Sequence, residues 1–169
     1  IRVDANGAFA PEDALNKLDQ LNAYEIDSIE QPIAINQWEH MSILCKKSPI
    51  PIALDEELIG VFDPEIQSEL LTQIEPQYLI FKPSLLGGFS NTQKWIDLAK
   101  KHNIAWWITS ALESNVGLNA IAQWTYSKKP FMPQGLGTGS LFLNNIDSPL
   151  VIKKGCLWND NAIPWREIF

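Results

Sequence analysis

Cysteine, histidine and methionine occur only twice each in these 169 residues, and basic residues are outnumbered by acidic ones, 13 to 20. Each scarcity closes off a class of function. Cys45 and Cys156 stand far apart with no CxxC or CxxH spacing, which excludes a metal framework built on repeated thiols. They read as reduced packing thiols, the usage expected of a cytoplasmic protein. His40 and His102 fall inside or at the end of helical segments, so neither is placed as a catalytic base. A net charge of −7 excludes nucleic acid and anionic membrane as partners, because both demand a basic surface. No stretch approaches 18 apolar residues, and the start carries no signal-peptide pattern.

What is present is ordinary globular composition with a regular beat. The chain is 46% hydrophobic and 20% charged, with 11 prolines and 9 glycines, enough for one real core. Ile52-Ala53-Leu54 is an apolar run too short for a helix, and it ends abruptly in Asp55-Glu56-Glu57. Such a run predicts a strand buried on both faces, with Asp55 where the strand leaves the sheet. The same arrangement precedes it twice, at Ile1-Arg2-Val3-Asp4-Ala5-Asn6 and Ile26-Asp27-Ser28-Ile29-Glu30-Gln31-Pro32. It returns as Tyr78-Leu79-Ile80-Phe81-Lys82-Pro83, then as Ala105-Trp106-Trp107-Ile108-Thr109, and faintly at Phe131-Met132-Pro133-Gln134-Gly135. The steps from Asp4 to Glu30, Asp55 and Lys82 are 26, 25 and 27 residues.

Helical segments fill the intervals. Pro11-Glu12-Asp13 opens one with proline and acid in its first turn, and Leu15, Leu18 and Leu21 form its apolar stripe. Asn36 is placed to cap Gln37–Lys46, and Asp63-Pro64 is a cap with a first-turn proline. Ser90 or Asn91 starts a fourth helix, whose end, Lys100-Lys101-His102, complements the helix dipole. Ser114 begins the fifth. This alternation predicts an α/β fold of parallel strands joined by right-handed crossovers.

A closed (β/α)8 barrel takes eight beats and about 250 residues. Six beats are counted here, so the expectation is the C-terminal part of a TIM-type barrel, with earlier strands lying upstream of Ile1. A complete open doubly wound sheet is the alternative. Residues 1–139 are assigned to the partial barrel. Residues 140–169, rich in turns such as Asn144-Asn145 and Lys153-Lys154-Gly155, form a tail packing against it and ending on Trp165–Phe169. A sheet with two open edges is exposed to self-association.

Asp4, Glu30 and Asp55, at the ends of successive strands about 4.8 Å apart, would converge and repel unless something positive sat among them. All-oxygen ligands predict a hard cation, Mg2+ before Ca2+ or Zn2+. Asn6 and Glu56 lie beside ligand positions as supporting partners, and Glu57 is an equal alternative to Glu56. Lys82 leaves its strand at the same face. A lysine near Mg2+ is expected to have its pKa lowered, which suits proton transfer. Gly135-Leu136-Gly137-Thr138-Gly139 lacks the following helix a dinucleotide fingerprint requires, so its glycines are read as close backbone approach to a ligand at the barrel's top. Trp106-Trp107 predicts one ring in the barrel and one under a helix. Ser110 and Ser114 could donate to a substrate carboxylate but have no histidine to make either a nucleophile.

Asp4-Ala5-Asn6, Glu30-Gln31-Pro32, Asp55-Glu56 and Lys82-Pro83 together resemble the strand-3 to strand-6 signatures of the enolase superfamily, muconate-lactonizing-like branch, over essentially the whole chain. The resemblance implies a modified barrel beneath an N-terminal capping domain. It also implies Mg2+ on Asp4, Glu30 and Asp55, and removal of a proton next to a carboxylate to give an enediolate. The branch's opposing base, a Lys-x-Lys on strand 2, matches no position here, so this chain alone is expected to be catalytically silent. The segment Thr109-Ser110-Ala111-Leu112-Glu113-Ser114-Asn115-Val116-Gly117, followed by the glycine-bearing strand containing Gly135, is most similar to the branch's water-eliminating carbon–oxygen lyases. A small carboxylate is then the substrate, with Lys82 as a cation over the reacting face and Ser110, Glu113 and Gly135 near it. Racemisation of N-acylated amino acids or dipeptide epimerisation is the enzymatic alternative, and a non-catalytic assembly module the other class.

Overall fold

Five parallel strands lie side by side in chain order, each followed by a helix, in a computed structural model that describes residues 1–166. The strands are β1 (Arg2–Asp4), β2 (Ser28–Glu30), β3 (Ile52–Leu54), β4 (Tyr78–Phe81) and β5 (Ala105–Ile108). The helices are α1 (Pro11–Leu21), α2 (Trp38–Lys47), α3 (Pro64–Ile74), α4 (Gly88–Lys101) and α5 (Asn115–Ser127). An unbroken 1-2-3-4-5 order has no switch point, so the doubly wound alternative is set aside in favour of a barrel segment.

The two faces of the sheet differ in what covers them. Ile52, Leu54, Leu79, Phe81 and Ile108 point outward into the main core, where they meet Leu18, Met41, Leu44, Leu70, Trp95, Ile96, Leu118 and Ile121 of the five helices. The alternate residues Ala53, Ile80 and Trp107 form a small inner cluster with Tyr78 and Met132. Trp106 packs on the helix side and Trp107 on the inner side, as their alternation requires. Arg2, on the outermost strand β1, lies 4.0 Å over the Trp107 ring and donates to the Pro133 carbonyl at 3.3 Å. A flat sheet would separate β1 from β5 by about 19 Å, so this contact requires strong curvature.

Local signals set the helix ends unevenly. Pro11 sits in the first turn of α1, and Asp63 caps α3 by accepting from the Glu65 N–H at 2.8 Å. Asn36 does not cap α2; Gln37 holds that position without a side-chain bond, and Asn36 adopts φ 64°. Helix α4 begins at Gly88, before Ser90, because Gly87 takes the left-handed turn at φ 81°. Ser114 precedes α5 but makes no capping bond.

The sixth beat forms no strand. Its pairing is a single parallel bridge from Thr109 to Gly135, with Ser110 N–H donating to the Gly135 carbonyl (3.1 Å) and Gly135 N–H to the Ile108 carbonyl (2.8 Å). Pro130 and Pro133 remove two of the donors a longer ladder would use. The last segment folds as an antiparallel hairpin, β6 (Leu150–Lys153) and β7 (Cys156–Asn159), from which Leu150 and Leu157 reach the main core. Asn145 ties its approach to α5: its side-chain carbonyl accepts from Asn115 N–H (2.8 Å) and its amide donates to the Gly139 carbonyl (2.9 Å). Of the expected tail end, Trp165 is exposed and residues 167–169 lie outside the described residues. Cys45 is buried, as a packing thiol should be, but Cys156 is exposed on the hairpin. Among the described residues no helix is long and apolar enough to cross a membrane.

Candidate metal centre and active site

Strand register decides how the acids meet. Asp4 is paired level with Glu30, while Glu30 is level with Ala53, and Leu54 with Leu79. Asp55 and Lys82 therefore each leave the sheet about two residues higher than their neighbour, the stagger of a tilted barrel. Alternation turns all of them inward, since Ile29, Leu54 and Phe81 before them face the helices.

Carboxylate oxygens of Glu30, Asp55 and Glu56 lie within 4.8 Å of one another. The Lys82 ammonium bonds Asp55 and stands 3.4 Å from Glu30 Oε1, with Asp55 fully buried. Burial, then the hydrogen bond and charge of Asp55 and the charge of Asp4, push the Glu30 carboxyl up to about 8 against the pull of Lys82. Burial likewise raises Glu56, whose buried Oε2 has no partner among the described residues. Crowded hard oxygens, one of them orphaned, fit a divalent cation well.

Without a bound cation, Lys82 supplies the positive charge among these acids. Burial works to lower the Lys82 pKa, but the hydrogen bond and charge of Asp55 with the charges of Glu30 and Glu56 outweigh it, and the value is raised. Lys82 stands here as an ammonium. Glu56, expected as a supporting partner, joins Glu30 and Asp55, whereas Asp4 is exposed at the rim and accepts from the Asn6 backbone N–H at 2.8 Å. Asn6 thus serves Asp4 through its main chain, at φ 46°.

Glu56 and Glu57 differ in their surroundings. Glu57 is 5% exposed and points away from the cluster, accepting from Gln31 Nε2 (3.1 Å), Asn36 N–H (2.9 Å) and Trp38 Nε1 (2.8 Å). Gln31, quoted in the sequence only as part of a motif, and Glu57, weighed there only as an alternative to Glu56, are buried partners of one another. The available signal was positional: Gln31 follows Glu30 directly, and Glu57 follows Asp55 and Glu56.

On the neighbouring loops, Glu113 gathers Ser84 Oγ, Ser110 Oγ (2.6 Å) and the Ala111 N–H (3.0 and 3.1 Å). Burial works against its charge, yet the Ser110 and Ser84 hydroxyls hold its pKa below the ordinary value. Ser110 is thereby committed to Glu113, and the trio joins the loop after Lys82 to the loop after β5. Gly135 lies tight against Thr109: a Cβ there would lie 2.5 Å from Thr109 Oγ1 and 2.8 Å from Thr109 Cβ.

Known proteins resemble this chain in sequence and in fold. The chain is 57% identical over 157 residues to the o-succinylbenzoate synthase of Desulfotalea psychrophila, covering 93% of this chain and 42% of that protein. A crystal structure of MenC from Desulfotalea psychrophila superposes with a TM-score of 0.89 at 57% identity, covering 93% of this chain and 44% of that one. The D-Ala-D/L-Ala epimerase of Cytophaga hutchinsonii is 30% identical over 123 residues, covering 72% of this chain and 32% of that protein. The chain thus spans less than half the length of these relatives. The family model for the enolase C-terminal domain-like fold matches residues 1–162. With five parallel βα units in barrel order and an inward acidic cluster at their ends, the chain belongs to the enolase C-terminal domain-like family.

Proposed function

We propose that this chain is the barrel portion of an o-succinylbenzoate synthase, a carbon–oxygen lyase that removes water from a small carboxylate substrate. The observation that carries the proposal is the convergence of Glu30, Asp55 and Glu56 around Lys82. The likeness to the Desulfotalea psychrophila enzyme selects the reaction. Asp4, Glu30 and Asp55 would hold Mg2+, with the unpartnered Glu56 oxygen beside them. The cation supplies positive charge to a substrate carboxylate as negative charge develops there on loss of the neighbouring proton. In the elimination, a C–H bond next to the carboxylate and a C–O bond on the adjacent carbon break, a C=C bond forms, and water departs. Lys82 presents a positive charge at the inner face, where developing anionic charge is favoured. Ser84, Ser110 and Glu113 fix the loops flanking it. Residues 1–139 form the catalytic portion, and the described residues after 139 form a buttress against α5.

The epimerase relative gives a second reading, in which the same acids and lysine serve proton exchange on a dipeptide. The separating experiment assays the intact protein with Mg2+ on both substrate classes. Formation of o-succinylbenzoate that D55N abolishes is expected. Dipeptide epimerisation without dehydration would replace the first reading with the second. Mg2+ titration of D4N and E56Q identifies the third ligand, D4N being expected to lose the greater affinity.

A further inference from the structure

We propose that Gln31 and Glu57 are positioning residues that hold Glu30 and Asp55 at the spacing a shared divalent cation needs; this rests on the reading of the acidic site given above. The β2–β3 ladder ends with the Gln31 N–H donating to the Ala53 carbonyl at 2.9 Å. Beyond that bond the Gln31 side chain joins the two strand ends. Its carbonyl accepts from the N–H of Asp55 (3.3 Å) and of Glu57 (3.4 Å). Its amide donates to the Ile33 carbonyl and to Glu57 Oε2, both at 3.1 Å. Glu57 Oε1 in turn takes the Asn36 N–H and the Trp38 indole N–H.

The network thus reaches the residue after Glu30, the peptide N–H of Asp55 itself, and the start of α2. Gln31 is 1% exposed, and its backbone sits at φ 37°, a conformation that persists only where surroundings over-determine it. Glu57 is a buried carboxylate met by N–H donors, with no lysine or arginine ion pair among the described residues. An apolar pair could fill the same space without the desolvation cost of a charge. What an apolar pair could not do is orient the Asp55 peptide against the end of β2. Outer partners of metal ligands act in this way, and their loss typically weakens metal affinity about 10–100-fold.

The test is Mg2+ affinity, by calorimetry and by competition with Mn2+ in electron paramagnetic resonance, on the intact protein, alongside thermal melting. Q31E places a carboxylate against Glu57, and E57Q turns an amide toward the Gln31 amide. Each is expected to lose Mg2+ affinity by roughly 10–100-fold while folded. The exchange Q31E/E57Q lets amide and carboxylate trade places and should recover most of the loss, leaving only the Ile33 carbonyl short of a donor. Trp38→Phe removes one donor to Glu57 at little cost in packing and should weaken Mg2+ severalfold. Should E57Q fail to fold, W38F and Q31E carry the test, and wild-type affinity in both would overturn the inference. Wild-type binding that D55N abolishes but Q31E and E57Q leave unchanged, with only melting lowered, overturns the positioning role alone. Absence of Mg2+ binding by the wild type overturns the site reading and this inference with it.

Discussion

Replacing Glu30 by glutamine should stabilise the metal-free protein at pH 8 and above, yet leave it less stable than wild type once Mg2+ is added. The Glu30 carboxyl is raised from 4.5 to about 8 by burial and by the hydrogen bond and charge of Asp55, so its ionised form is the penalised one. The sign follows from proton linkage: between those two values the folded protein binds a proton that the unfolded chain does not, so stability from this group falls as pH rises. Glutamine has no such proton. The stability difference, variant minus wild type, should therefore be near zero below pH 4.5, grow through the window, and level off above pH 8. Each pH unit is worth at most about 1.4 kcal/mol, which caps the effect near 5 kcal/mol. Glu30 is one-fifth exposed and keeps the nearby Lys82, and some relaxation accompanies ionisation, so about 1–3 kcal/mol is the expected plateau. Thermal melts from pH 4 to 9 with chelator measure it, at roughly 2–4 °C per kcal/mol for a domain of this size. Mg2+ at a thousand times its dissociation constant should add about 4.1 kcal/mol to the wild type and much less to the variant, reversing their order. A variant less stable than wild type at pH 8 without metal would refute the reasoning, because Lys82 would then more than offset the crowding.

Lys82→Ala should cut turnover of the intact enzyme by about 10²–10³-fold while its Mg2+-bound form still melts cooperatively, and Lys82→Arg should restore little, since a planar guanidinium does not replace a compact ammonium; near-wild-type turnover in both variants would make Lys82 a structural residue. Gly135→Ala drives a methyl into Thr109 and should cost about 1–3 kcal/mol by overpacking, read as a lower melting temperature. Thr109→Gly in the same chain should relieve part of that loss, and no change in melting on adding the methyl would refute the contact.

The five strands were legible because each is an apolar run closed by a chemically distinct residue, and the spacing of those residues is the length of one βα unit. Asp63-Pro64 and Pro11 were legible for the same reason, since a cap and a first-turn proline act through neighbours in sequence. The sixth strand was overread. Phe131-Met132-Pro133-Gln134-Gly135 has strand-like ends, but its prolines and the close approach of Thr109 leave one bridge. Asp55, Glu56 and Glu57 stand together in sequence, yet a three-residue 3-10 turn sends Glu57 under α2 and keeps Glu56 beside Asp55. Such a turn depends on Gln31 from another strand, so local sequence carries no sign of it. The bond from Lys82 to Asp55 was hidden similarly: composition names the neighbours but not which of them lie nearest.

Arg2 gives the concave side of the sheet a chord. Its guanidinium runs from the first strand to an indole on the fifth, so the depth of the arch and the distance across its mouth are one variable read at one place. The strand ends carrying Glu30, Asp55 and Lys82 ride on that arch, and any opening that separates Arg2 from Trp107 must also spread them. Trp107 therefore doubles as an optical gauge of site geometry. In a version of the protein keeping Trp107 as its sole tryptophan, a shift in its emission on adding Mg2+ would report a change in the width of the arch that carries the acidic site.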